Sequence, residues 1–134
     1  MMAPLTLMIF AIMLQWTGCT DKEYIISPGK LGGGDPPPNA LKYADVKPIF
    51  DANCVIPGCH GSPNQKNLFL GSYAGIMAGS VNGPVVVAGN SAGSLLYQRI
   101  TASDVLLRMP QFSPPLTADQ IATIKKWIDD GAFE

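Results

Sequence analysis

Residues 31–40 read "LGGGDPPPNA", three consecutive glycines followed one residue later by three consecutive prolines. This stretch constrains the fold more than any other. A glycine run loses too much entropy to settle into a helix or strand, and a proline run lacks the backbone donors that either would need. The first run is flexible and the second stiff and extended. The chain of 134 residues is thereby divided, and its two sides have different character.

The N-terminal side, "MMAPLTLMIFAIMLQWTGCT", is apolar almost throughout, and the first charged residue is Asp21. A buried core helix is not expected, because the run has no polar face. The stretch 5–14 has the length of the apolar region of an export signal, and the small residues Thr17 and Gly18 precede Cys19. A cysteine in that place resembles a bacterial lipobox, in which the cysteine is lipidated and becomes the mature N-terminus. Trp16 stands where leucine is usual, and no Lys or Arg lies near the start. An uncleaved anchor, for which the run is near spanning length, and ordinary secretion are the alternatives. All three lead out of the cytoplasm. The expected organisation is a signal peptide over residues 1–18, a lipidated Cys19 and Gly/Pro tether over 19–40, and a folded domain over 41–134. That places the domain in the periplasm or cell envelope, held to a membrane.

Within the domain the pattern is helical, with Gly/Pro/Asn loops between segments. Asp45 can cap a first short helix in which Val46, Ile49 and Phe50 share a face, with Pro48 in its first turn. Ser72 can cap "YAGIMAG", and Ser91 can cap a third helix with Leu95, Leu96 and Ile100 facing inward. The last helix has the strongest pattern. Thr117 and Gln120 form a capping box, and Leu116 and Ile121 a hydrophobic staple. Ile121, Ile124, Trp127 and Ile128 make one apolar stripe, and Gly131 ends it. "GPVVVAG" reads as an extended connection, since no second strand pattern exists to pair with it. The expected class is all-α, about four short helices with a thin core that would gain from an apolar group to wrap around. With 9 basic and 10 acidic residues, net charge −1, there is no basic stripe for nucleic acid.

Two of the three cysteines and the only histidine fall within "CVIPGCH", Cys54 to His60. The spacing is C-x4-C-H, two residues longer than the C-x-x-C-H attachment signal for haem c. In that signal each thiol adds to a haem vinyl group, and the histidine is held under the iron as its ligand. The two extra residues must loop outward, and Pro57-Gly58 is a turn-forming pair. A Cys54–Cys59 disulfide would suit an oxidising compartment but gives His60 no role. A zinc site would lack a second histidine, and the spacing differs from that of a CxxC redox site. For a haem iron, bis-His ligation within this chain is excluded. Met109, in "LLRMPQFSPPL", is the candidate sixth ligand, because Pro110 keeps it out of helical geometry. Met77 lies in a predicted helix and reads as packing.

The segments "VKPIFDANCVIPGCHG", "NLFLGSYAGIMAGSVNGPVVVAGNSAGSLLYQRI" and "RMPQFSPPLTADQIATIKKWIDDGA", in this order, resemble the planctomycete-type cytochrome c domain over about residues 45–133. The resemblance implies one covalent haem c on Cys54 and Cys59, His60 as proximal ligand and Met109 as distal ligand. It also implies a small cytochrome c fold whose first and last helices pack together, Val46, Ile49 and Phe50 against Ile121, Ile124 and Trp127. Ala88 and Gln111 depart from prolines common in the family. The expected function is a monohaem electron carrier tethered to a membrane and serving redox partner proteins, not an enzyme. A haem sensor or enzyme with a labile sixth ligand, and a haem-free lipoprotein with a Cys54–Cys59 disulfide, are the competing readings.

Overall fold

Four α-helices make the fold: α1 (Tyr43–Asn53), α2 (Tyr73–Ala78), α3 (Leu95–Thr101) and α4 (Ala118–Asp130), with one short 3-10 turn at Gln65–Asn67. The computed structural model describes residues 35–134. The signal peptide, Cys19 and most of the tether lie outside the described residues. Among the described residues there is no strand, only the isolated bridges Lys42–Phe133 and Ser80–Gly83. No helix among them is long and apolar enough to cross a membrane.

α4 forms as its sequence predicts. The Thr117 hydroxyl accepts from Gln120 N at 3.2 Å, and the Gln120 side chain accepts from Thr117 N at 2.9 Å. Ile124, Trp127 and Ile128 are completely buried, with Leu116 at 5 % exposure beside them. α4 packs against both α1 and α3. Ile49 and Ile121 border the core, while Val46 and Phe50 lie inside it. The Phe50 and Trp127 rings meet edge to face at 6.3 Å, and Tyr43 lies 6.1 Å from Trp127. The expected pairing of first and last helices is therefore present, with an aromatic cluster at its centre.

Two helix starts differ from expectation. α1 begins at Tyr43, not after Asp45, so Pro48 falls in the second turn rather than the first. The cause is a long-range anchor: Tyr43 N donates to Phe133 O at 2.8 Å, joining the start of the domain to its end. Asp45 still serves the terminus, accepting from Lys42 N at 2.7 Å. α3 is entered through Ser94, not Ser91. The buried Ser94 hydroxyl donates to Asn90 O and accepts from Val87 N, each at 2.8 Å. Together with Leu96 N donating to Val85 O at 2.9 Å, this pins the extended "VVV" connection onto α3. Ser72 caps α2 as expected, accepting from Gly75 N at 3.1 Å.

The two acids at the end of α4 hold neighbouring loops. Asp130 accepts from Leu41 N at 2.7 Å and Asp129 from Ser91 N at 2.9 Å. Their pairs with Lys126 and Lys125 are exposed, so they add little.

Candidate functional site

The loop that follows α1 carries Cys54, Cys59 and His60. Cys54 caps the helix, its N–H and that of Val55 both donating to Phe50 O, at 2.8 and 2.9 Å. Cys59 N donates to Ile56 O at 2.9 Å, closing a turn with Pro57 and Gly58 at its corners. Gly58 has φ +81, the conformation a type II turn demands of its third residue. Ile56, Pro57 and Gly58 are exposed, so the extra length projects outward. His60 N donates back to Cys54 O at 3.2 Å. The chain thus leaves Cys54, makes its excursion, and returns to the same carbonyl at His60. Gly61 packs closely beside it: a Cβ there would meet the Ile56 carbonyl carbon and oxygen at 3.1 Å, a tight contact.

His60 is fixed from a second side. Its Nδ1 lies 3.3 Å from Leu68 O, and Leu70 N donates to His60 O at 3.0 Å. A carbonyl only accepts, so Nδ1 carries the proton and Nε2 keeps its lone pair. Nε2 has no hydrogen-bond partner among the described residues. Burial holds the imidazole below its ordinary pKa, against the opposing pull of the Leu68 carbonyl. The ring is therefore neutral and oriented, the state in which imidazole binds a metal.

The two thiols differ. Cys54 is buried, and burial, helped by the nearby Cys59, pushes its thiol up to about 11. Cys59 is exposed, and the two are not joined as a disulfide. A thiol so hard to ionise is a poor partner for thiol–disulfide exchange. No group of three or more His, Cys, Asp or Glu side chains able to hold a metal ion occurs among the described residues.

Met109 lies in a separate loop. Its N–H donates to Arg99 O at 2.9 Å, which ties the loop to α3. The Asp104 carbonyl accepts from Leu107 N and Arg108 N, and Gln111 reaches across Met109 to donate to Leu106 O at 3.0 Å. Gln111, one of the two departures from the family pattern, therefore closes this loop. An open cleft of about 440 Å³ lies alongside, lined by Val105, Leu106, Arg108, Pro110, Gln111 and Phe112 among others. No hydrogen bond joins the Met109 loop to residues 54–60 among the described residues, and none of the latter lines the cleft. Met77 packs on the core instead.

These features fit a haem. Two unpaired thiols and an oriented imidazole lie in the one loop that follows α1. The loop around Met109 exposes large apolar side chains, Leu106 at 78 % and Phe112 completely, surface that gains from an apolar cover. Arg108 Nε is sealed from solvent with no hydrogen-bond partner. Sequence reasoning had no signal for the Leu68 carbonyl or for Arg108, since the first is backbone and the second belongs to no motif.

An all-α domain with its first and last helices packed together, and a C-x4-C-H loop ending the first, is a small cytochrome c-like fold. Residues 57–111 match the family model described as Planctomycete cytochrome C, so this stretch of the chain is similar to that family. The match includes Cys59, His60 and Met109 and begins after Cys54. A cytochrome c domain implies covalently bound haem c. No curated protein and no solved structure matches the chain.

Proposed function

We propose that this protein is a monohaem c-type cytochrome that carries electrons outside the cytoplasm, tethered to a membrane through a lipidated Cys19. The observation that carries the reading is His60, neutral, held through Nδ1 by Leu68 O, with Nε2 free. In this reading Cys54 and Cys59 are the thioether positions, His60 is the proximal ligand and Met109 the distal one. Haem c, when bound, supplies an Fe(III)/Fe(II) couple. The chain's own residues do the rest. The Leu68 carbonyl keeps the imidazole from rotating and raises its basicity. A thioether ligand, and apolar surroundings where a bound haem covers the exposed side chains of residues 105–112, would favour the reduced form. With His60 and Met109 both holding the iron, small molecules would have no place to bind, which favours a carrier for redox partner proteins over an enzyme.

The test is an absorption spectrum of the protein exported in a host with haem c maturation machinery, then a pyridine haemochrome assay after acid–acetone extraction. A haem c spectrum that survives extraction, at one haem per chain, supports the reading. Colourless protein, or pigment lost to the solvent, refutes it. A near-infrared Met-to-iron band and no carbon monoxide binding on reduction separate the carrier from a sensor or enzyme.

A further inference from the structure

We infer that Phe69 is a positioning residue for His60: its ring, seated on Gly71 and Gly75, holds the peptide plane whose carbonyl accepts from the His60 Nδ1. The inference rests on the cytochrome reading and deepens it at the same site.

The Leu68 carbonyl, 3.3 Å from Nδ1, orients the imidazole. It shares one rigid peptide plane with the N and Cα of Phe69. That plane turns only about the bonds to Leu68 Cα and Phe69 Cα, so whatever fixes Phe69 fixes where the oxygen points. On the Leu68 side the backbone is tied down. Leu68 N donates to Gln65 O at 3.0 Å, and Gln65 N to Cys59 O at 2.6 Å. Beyond Phe69, Leu70 N donates to His60 O at 3.0 Å. Phe69 itself has no backbone hydrogen bond among the described residues.

Side-chain packing takes that part. The chain is extended at Leu68, with φ −95 and ψ 113, so successive side chains alternate between faces. Leu68 and Leu70 pack on the core. Phe69 faces the other way, half-buried, and its ring lies over two glycines. A Cβ on Gly71 would meet Phe69 Cζ at 2.6 Å. A Cβ on Gly75 would meet Phe69 O at 2.5 Å and Cδ1 at 2.9 Å. Neither glycine has a φ in the left-handed region, so the backbone conformation calls for neither. Gly75 even lies inside α2, where glycine is a poorer helix residue than alanine. What both positions share is the close approach of Phe69. The two glycines form a seat, and the seat locks the plane that aims the Leu68 carbonyl at His60.

A longer bond from Nδ1 makes the imidazole a weaker donor to iron, which favours Fe(II). Two readouts in the full-length holoprotein follow it: the NMR shift of the His60 Nδ1 proton in the reduced state, and the reduced-to-oxidised ratio at fixed potential. Phe69→Leu keeps an apolar side chain and loses the flat ring. It is expected to move the proton upfield and the ratio about threefold towards the reduced form, as weakening one hydrogen bond would. Gly75→Ala leaves Phe69 in the chain and displaces it from its seat, and is expected to give the same two changes. Thr117→Ala lowers stability at the far end of the domain's sequence and is expected to leave both readouts at wild type. If Phe69→Leu does not retain haem, Gly75→Ala decides. An unmoved proton and ratio in the variants that retain haem overturn the inference. So do equal shifts in Thr117→Ala, which would mean a general loosening. Loss of haem from both site variants also overturns it, since Phe69 would then serve folding rather than the placing of the ring. A wild-type protein without covalent haem overturns the cytochrome reading itself, whereas a haem-bearing wild type with unmoved variants overturns only the part given to Phe69.

Discussion

Replacing Tyr43 with phenylalanine removes a single oxygen atom from the centre of the fold and leaves its ring in place. That ring is 6 % exposed and lies among Phe50, Tyr73 and Trp127, at centroid distances of 6.2, 5.9 and 6.1 Å. Its hydroxyl donates to Leu70 O at 2.7 Å, and Leu70 is itself 2 % exposed. The substitution therefore keeps the packing but strands a buried carbonyl, which costs about 1–3 kcal/mol. For a domain of this size ~2 kcal/mol lowers Tm by roughly 10 °C. The same hydroxyl sets a pH signature. Burial, and to a lesser extent the Asp51 carboxylate, push the phenol from its ordinary 10.0 up to about 12. The folded state then holds a proton that the unfolded state releases, so stability is intact below pH ~10 and falls as pH rises towards 12. That rise corresponds to at most about 2.7 kcal/mol, and solvent screening brings it to about 1 kcal/mol. Tyr43→Phe lacks this loss. The gap between wild type and variant, measured by urea unfolding, is expected near 2 kcal/mol at pH 8 and about 1 kcal/mol smaller at pH 11.5. A gap below 0.5 kcal/mol at pH 8 would mean that solvent satisfies the Leu70 carbonyl. A gap that ignores pH would mean the phenol is not shielded.

Other substitutions probe the remaining supports. Thr117→Ala removes the α4 cap and is expected to cost about 1 kcal/mol in urea unfolding. Ser94→Ala strands Val87 N and Asn90 O and is expected to cost about 2 kcal/mol, with faster amide hydrogen exchange at Val87. Gly61→Ala forces a Cβ against the Ile56 carbonyl and is expected to cut haem incorporation several-fold by pyridine haemochrome. Met109→Ala is expected to open the sixth position, so that the reduced protein binds carbon monoxide and loses the near-infrared band.

The legible parts of this fold are the local ones. Thr117, Gln120, the Ile124/Trp127/Ile128 stripe and Gly131 are related by helical spacing alone, and α4 has the predicted cap, stripe and end. Ser72 and α2 are equally local. The start of α1 was misplaced because Tyr43 bonds to Phe133, at the far end of the chain, which no short window contains. Ser91 was expected to cap α3, and Ser94 stands there instead because its hydroxyl finds Val87 and Asn90. At the site, side-chain chemistry was legible in "CVIPGCH". The Leu68 tie was not, because any residue type at position 68 offers the same carbonyl.

That tie also explains how a lengthened cysteine spacing can be accommodated. In a short linkage, the cysteine next to the histidine and the one before it fix the ring's place by chain length. Here two added residues relax that constraint, and backbone contacts replace it. Gly58 turns the excursion outward. His60 N returns to Cys54 O, so the histidine keeps its place relative to the end of α1 despite the insertion. Leu68 O then orients the ring, and Leu70, whose N–H holds His60 O, is anchored through its own carbonyl by Tyr43 of α1. Position and orientation of His60 thus derive from the same helix by two routes, one through Cys54 and one through Tyr43. Tyr43 is therefore the point where core stability and the placing of His60 meet, and its loss is expected to loosen both.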